Sequence, residues 1–256
     1  MFGVSTIGEA ADTALRSHHV LYEMKQIHKA NGGISPISRV DGSLRYEFKN
    51  TCDGWEVGYY TVLNLEYTNG QAIKKSWFYS SQEAADGSRF RFRSDSRDND
   101  VLSAEYSGVV RKVNGKKQVI YSKPEGRRET LPEATLFPTS HLIHSLEAAQ
   151  KGETVFNASY FDGSGPGLNL DVSTVSTRAG DGKVEETKKF NLPPMPVWNM
   201  RLAFFPPESQ KSEPQMEIVG RYRLDGVLTH ILQDFGVFAL KGQMMEFNYL
   251  DEPKCK

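Results

Sequence analysis

Hydrophobic and polar residues alternate over much of the chain. Leu44, Tyr46 and Phe48 interleave with Arg45, Glu47 and Lys49. Val57, Tyr59, Thr61, Leu63, Leu65 and Tyr67 share one parity, and Phe90 and Phe92 interleave with Arg89, Arg91 and Arg93. A two-residue period sends one set of side chains to a core and the other to water. Antiparallel sheets with one wet face require this pattern. Asx-Gly pairs punctuate the alternation at Asp41-Gly42, Asn69-Gly70, Asp86-Gly87, Asn114-Gly115, Asp162-Gly163, Asp181-Gly182 and Asp225-Gly226. Such pairs favour the positive φ angles of tight turns. Their spread predicts a long meander of hairpins.

The period changes in two places. Thr6 and Glu9 have capping-box spacing ahead of Ala10, Ala11, Ala14 and Leu15, which predicts a helix over about residues 7–16. Pro138-Thr139-Ser140 supplies a second start, Leu142, Ile143, Leu146 and Ala149 an apolar face, and Gly152 a stop. This predicts a short amphipathic helix over about residues 140–151, docked on the sheet. The charged run from Asp181 to Lys189 and the prolines at 193, 194 and 196 read as a loop, beyond which the alternation resumes. No internal repeat or low-complexity tract is visible. The expectation is an all-β, mainly antiparallel, many-stranded single domain spanning residues 1–256, with two short helices.

Composition narrows the class. The chain has 256 residues, 38% hydrophobic and 25% charged, enough for both a packed core and a solvated surface. A formal net charge of −1 argues against nucleic acid as a partner, which calls for a basic excess. No stretch approaches the roughly 18 consecutive apolar residues of a membrane span. Met1 to Leu15 lacks the apolar core of a signal peptide. An exported protein would therefore begin here in its mature form, with Met1 an added initiator. The two cysteines, Cys52 and Cys255, are too far apart for a CxxC redox or zinc motif. They are either two free buried thiols or one bridge. Cys255 lies in the polar tail Asp251-Glu-Pro-Lys-Cys-Lys256, a poor place for a buried thiol. A bridge closing so long a loop could contribute about 5 kcal/mol on the chain-entropy model and would imply an oxidising compartment.

Candidate chemistry is sparse. His141 and His144 stand at i, i+3, a spacing that can bring two imidazoles to one metal, but no HExxH pattern, cysteine or carboxylate cluster accompanies them. Helix-end and surface roles are expected instead. Gly163-Ser-Gly-Pro-Gly167 lacks the lysine and spacing of a phosphate loop, and Pro166 removes an amide donor, so a mobile loop is expected. The row Arg89, Arg91, Arg93 has Phe90 and Phe92 on the opposite face, so no base could stack beside the arginines, and a solvated face is expected. There is no GxSxG elbow. No catalytic residue, metal ligand or cofactor site is assigned. The strands are rich in aromatics and methionine, among them Tyr59, Phe78, Tyr79, Phe204 and Met244. Core packing explains most of these, while an incompletely closed sheet could use some to line a hydrophobic cleft.

Several segments, in order, resemble the EipB family of periplasmic cell-envelope integrity proteins of Alphaproteobacteria. They are His18-His-Val-Leu-Tyr22, Gly42-Ser-Leu-Arg-Tyr-Glu-Phe48 with Cys52-Asp-Gly-Trp55, Phe137-Pro-Thr-Ser-His141 with Gly152-Glu153, Phe161-Asp-Gly-Ser164, Asp234-Phe-Gly-Val-Phe238 and the closing Cys255. His19 and Trp55 depart from the residues usual in the family, as does the strand that Trp55 begins. The resemblance implies a sheet wound into a spiral or half-open barrel, a periplasmic location, and a disulfide between Cys52 and Cys255. It implies a non-enzymatic role in envelope integrity without a cofactor. The fold is similar to that of periplasmic lipoprotein carriers, which implies a hydrophobic ligand such as a lipid or acyl chain. A tetratricopeptide-repeat periplasmic protein is the implied protein partner, and a monomer is the expected state. A lipid or lipoprotein carrier is the alternative, and an envelope-acting enzyme a more remote one. The bridge would clasp the last strand of an open sheet to an early one.

Overall fold

A computed structural model describes residues 14–27, 35–167, 169–181, 185–206, 213–236 and 238–255. Among these residues the chain forms fourteen strands and two helices. In order they are β1 (His18–Ile27), β2 (Ile37–Asn50), β3 (Gly54–Tyr67), β4 (Ala72–Ala84), β5 (Arg89–Asp98), β6 (Val101–Val113), β7 (Lys116–Lys123) and β8 (Arg128–Leu131). Then come α1 (Pro138–Gln150), β9 (Val155–Tyr160), β10 (Leu170–Gly180), α2 (Glu185–Lys189), β11 (Val197–Phe205), β12 (Met216–Arg223), β13 (Leu228–Asp234) and β14 (Ala239–Tyr249).

All fourteen strands join one sheet in the order β8-β7-β6-β5-β4-β3-β2-β1-β14-β13-β12-β11-β10-β9. Every strand pairing is antiparallel. Sequence neighbours pair throughout except at the centre, where β1 lies beside β14 from His18↔Tyr249 to Ile27↔Ala239. Two arms of hairpins therefore run outward from one long-range seam, and β8 and β9 are the outer edges. The edges approach each other through Leu136, just beyond β8. Its amide donates to Ser159 O at 2.8 Å, and its carbonyl accepts from the Phe161 amide at 3.0 Å. These two bonds join the edges without closing a barrel.

The alternation appears as inside and outside faces. Phe90 and Phe92 are buried while Arg89, Arg91 and Arg93 are exposed. Val57, Leu63 and Leu65 are likewise buried on the inner parity of β3. Four Asx-Gly pairs, at 69–70, 86–87, 114–115 and 225–226, make hairpin turns with the glycine at positive φ. Asp41-Gly42 does not turn. Gly42 lies inside β2, where a Cβ would come 1.9 Å from Val62 O, so the glycine serves close backbone approach. Asp162-Gly163 is also no hairpin. It begins a loop after β9, and Gly163, at φ 75°, presses on the Phe92 ring. Of Asp181-Gly182, only Asp181 lies within the described residues.

The helix expected near residues 140–151 is α1, at 138–150. Gly152, at φ 85°, follows it, and the Gly152 amide bonds Ala149 O. The helix expected over residues 7–16 falls mainly outside the described residues, and its last part, residues 14–16, is not helical. The second helix is instead α2, inside the charged run read as a loop. One turn that carries the good helix formers Glu185, Glu186, Lys188 and Lys189 is ended by Asn191 at φ 51°. No helix among the described residues is long and apolar enough to cross a membrane.

Cys52, in the β2–β3 loop, is disulfide-bonded to Cys255 in the tail beyond β14, with their Cα atoms 5.4 Å apart. Glu252 secures the same tail. Its Oε1 accepts the Ser17 amide at 2.8 Å, and its Oε2 accepts Ser17 Oγ at 2.8 Å and Asn50 Nδ2 at 2.7 Å. The clasp therefore lies over the central seam. It does not reach the open edges at β8 and β9.

Candidate functional site: a cavity inside the curled sheet

The inward parity of β2–β4 and of β11–β13 faces across a cavity of about 540 Å³. Leu44, Tyr46, Tyr59, Leu63 and Trp77 wall one side, and Met200, Leu202, Phe204, Ile218 and Leu228 the other. This volume falls within the roughly 300–1,000 Å³ of small-molecule sites. One end is polar. There α1 presents Thr139, His141 and Ser145, and the loop after β9 presents Asp162 and Ser164.

A buried carboxylate positions α1. Glu83, on the inward parity of β4, is 3% exposed and accepts the amides of Thr139 and Ser140 at 2.9 Å each. Ser140 Oγ also donates to it. The helix's own N-cap residue, Phe137, offers no side-chain cap, so Glu83 satisfies amides that would otherwise be orphaned. Burial raises the Glu83 carboxyl above its ordinary range, and the bonds from Ser140 and Thr139 only partly oppose this.

His141 is 2% exposed and lies between Phe156 and Tyr160, with its Nε2 3.5 Å from Thr174 Oγ1. Burial, aided by His144, holds it down at about 4, so the ring is neutral at pH 7. Asp162 lies deep but keeps part of its surface towards the cavity. Burial raises its carboxyl, against a 2.8 Å bond from the Ser164 amide to Oδ1. Tyr79 donates to Asp162 O at 2.9 Å and stacks on Tyr59 at 4.7 Å. Burial raises both phenols, which remain protonated.

The residues singled out from the sequence fall in different places. His141 faces the cavity, whereas His144 is exposed and bonds Ser140 O through Nδ1 at 2.7 Å. Their rings flank Phe156 and do not converge. The Gly163–Gly167 loop is packed, contrary to the expectation of mobility. Gly163 rests on Phe92, and the Gly167 amide already bonds Glu129 at 2.9 Å. Arg91, Arg93 and Arg111 border a polar groove on the outer face that also carries Glu47 and Glu56. The aromatic residues divide by parity. Tyr59, Tyr79 and Phe204 face the cavity, Met244 fills the core at the seam, and Phe78, of the opposite parity on β4, is exposed at the cavity's margin. Glu83, Ser145 and Asp162 were not anticipated. A charged residue on the inward parity of β4, two positions from Ser81 and four from Tyr79, was the available signal for Glu83.

The model of a family described as EipB-like matches residues 9–251. The chain belongs to the EipB-like family. A relative from Brucella abortus (strain 2308), named cell envelope integrity protein EipB, is 25% identical over 253 residues, covering 96% of this chain and 89% of that protein. The crystal structure of a β-barrel-like protein from a domain of unknown function, also from Brucella abortus, superposes with a TM-score of 0.83. It is 23% identical, and the match covers 93% of this chain and 99% of that one. The curled sheet thus shares its fold with that β-barrel-like protein, and the cavity is the space the fold encloses in this chain.

Proposed function

We propose that this EipB-like chain is a non-enzymatic periplasmic protein that supports cell-envelope integrity by holding a hydrophobic ligand, a lipid or acyl chain, inside its curled sheet. The cavity of about 540 Å³, with aromatic and aliphatic walls, carries this reading. The name of the Brucella relative supports the envelope role. The Cys52–Cys255 bridge supports an oxidising compartment. The protein acts as one folded unit and a monomer, and the family resemblance supports a tetratricopeptide-repeat periplasmic protein as its partner.

Extraction of protein purified from cell envelopes, followed by mass spectrometry, should release a stoichiometric lipid. Leu202→Trp should reduce that yield by filling the cavity. Absence of lipid, together with no uptake of a fluorescent apolar probe by the delipidated protein, would overturn ligand binding. Transfer of an acylated cargo between vesicles would convert the reading into that of a carrier.

A further inference from the structure

We infer that the cavity selects an uncharged amphiphile whose hydroxyl or amide head is met by Ser145, His141 and Asp162. This deepens the ligand-binding reading above and rests on it.

Charge excludes an anionic head. No lysine or arginine among the described residues lines the cavity. Its titratable lining consists of His141, Asp162 and the phenols of Tyr22, Tyr46, Tyr59, Tyr79, Tyr160 and Tyr222. The Glu83 carboxylate lies just beneath α1. A carboxylate or phosphate would shed its hydration here without meeting a cation, and close to two acids.

Hydrogen bonding calls for a polar head of some kind. Ser145 is 2% exposed, lines the cavity from α1, and its Oγ has no hydrogen-bond partner. An orphaned buried hydroxyl is costly, and such groups in native proteins call for an explanation. His141 stands one turn before it on the same helix, so the two present one face. A neutral hydroxyl or amide can donate and accept here, which neither a hydrocarbon nor a carboxylate can do.

The test is displacement of 1-N-phenylnaphthylamine from the full chain at pH 8 by three compounds with the same tail, namely oleamide, monoolein and oleate. Oleamide and monoolein should bind at least about tenfold more tightly than oleate. Ser145→Ala should weaken oleamide about fivefold and leave the headless probe unchanged. It should not lower the melting temperature of the free protein, because the hydroxyl it removes is unpaired. Asp162→Asn should narrow the gap between oleate and oleamide. Equal affinity for oleate and the neutral compounds, or an unchanged oleamide affinity in Ser145→Ala, would overturn head selection while leaving the ligand cavity intact. Failure of the probe and all three compounds to bind the wild-type chain would instead overturn the ligand-binding reading, and the selection with it.

Discussion

The sheet is held together at two places, and the two differ in kind. At the seam, β1 and β14 share a full ladder, the tail beyond β14 is bridged to the β2–β3 loop by Cys52–Cys255, and Glu252 ties Ser17 to Asn50. At the closure, Leu136 makes two backbone bonds, Thr135 Oγ1 meets Ser159 Oγ at 3.0 Å, Glu129 of β8 accepts the Gly167 amide, and a further carboxylate, Glu83, fixes α1 between β8 and β9. The seam is covalent and over-determined, and its Leu15 and Phe48 pack in the same core cluster as Leu146 of α1. The closure is non-covalent and builds the polar end of the cavity. Global stability and the shape of the site are therefore governed by different residues.

Substitutions at each place should separate the two. The largest effect is expected from Cys52→Ser, which frees a loop of 203 residues and should lower stability by about 2–5 kcal/mol in oxidised protein. Once folded, the variant should bind an apolar probe as the wild type does. Equal unfolding midpoints in denaturant for mutant and parent would remove the bridge from any stabilising role. Glu83→Ala should cost less, about 2 kcal/mol for the lost cap, yet weaken probe binding more than the cysteine change does. A site unaffected by Glu83→Ala would erase the distinction between seam and closure.

The smallest effect is a difference in pH response. Burial pushes the Glu252 carboxyl up, but the bonds from Asn50 and Ser17 outweigh it and leave the group lowered overall. Its contribution is present above the ordinary glutamate value of about 4.3 and is lost as pH falls through its lowered folded value. Glu83 is raised, so its linkage has the opposite sign. Stability is fully present below about 4.3 and declines as pH rises through the raised folded value. Acid should thus weaken the seam and strengthen the closure. In stability–pH curves, Glu252→Gln should flatten the acid side and Glu83→Gln the side above about 4.3.

The seam and the closure also differ in how far they could be read from the chain. Alternation at Leu44–Lys49 and Arg89–Arg93 marks inside and outside, and the pairs at 69–70, 86–87, 114–115 and 225–226 mark local hairpins, because both signals depend on neighbours in sequence. The pairing of β1 with β14 has no local signature, since neither strand determines which remote strand it meets. The same limit hid the polar end of the cavity. Leu142 and Ile143 mark an apolar face on α1, but both are only half-buried, while His141 and Ser145 turn fully inward. Glu83, which caps the helix from β4, sets that rotation. Asp41-Gly42 misleads for a related reason, because its glycine answers to the Val62 carbonyl of β3 and not to a turn.

The placement of β1 beside β14 also dictates an order of assembly. Each arm is a chain of hairpins whose contacts are close in sequence, so each can form as soon as its strands are available. The seam joins residues as far apart as His18 and Tyr249, and no part of it can form before β14 is present. Until then, β1 and β13 each present an unpaired edge. A chain made from its N-terminus would thus carry the β1–β8 arm with an unpaired β1 margin until β14 is available. Formation of the Cys52–Cys255 disulfide, with its two electrons passed to an external oxidant, would then report that assembly is complete.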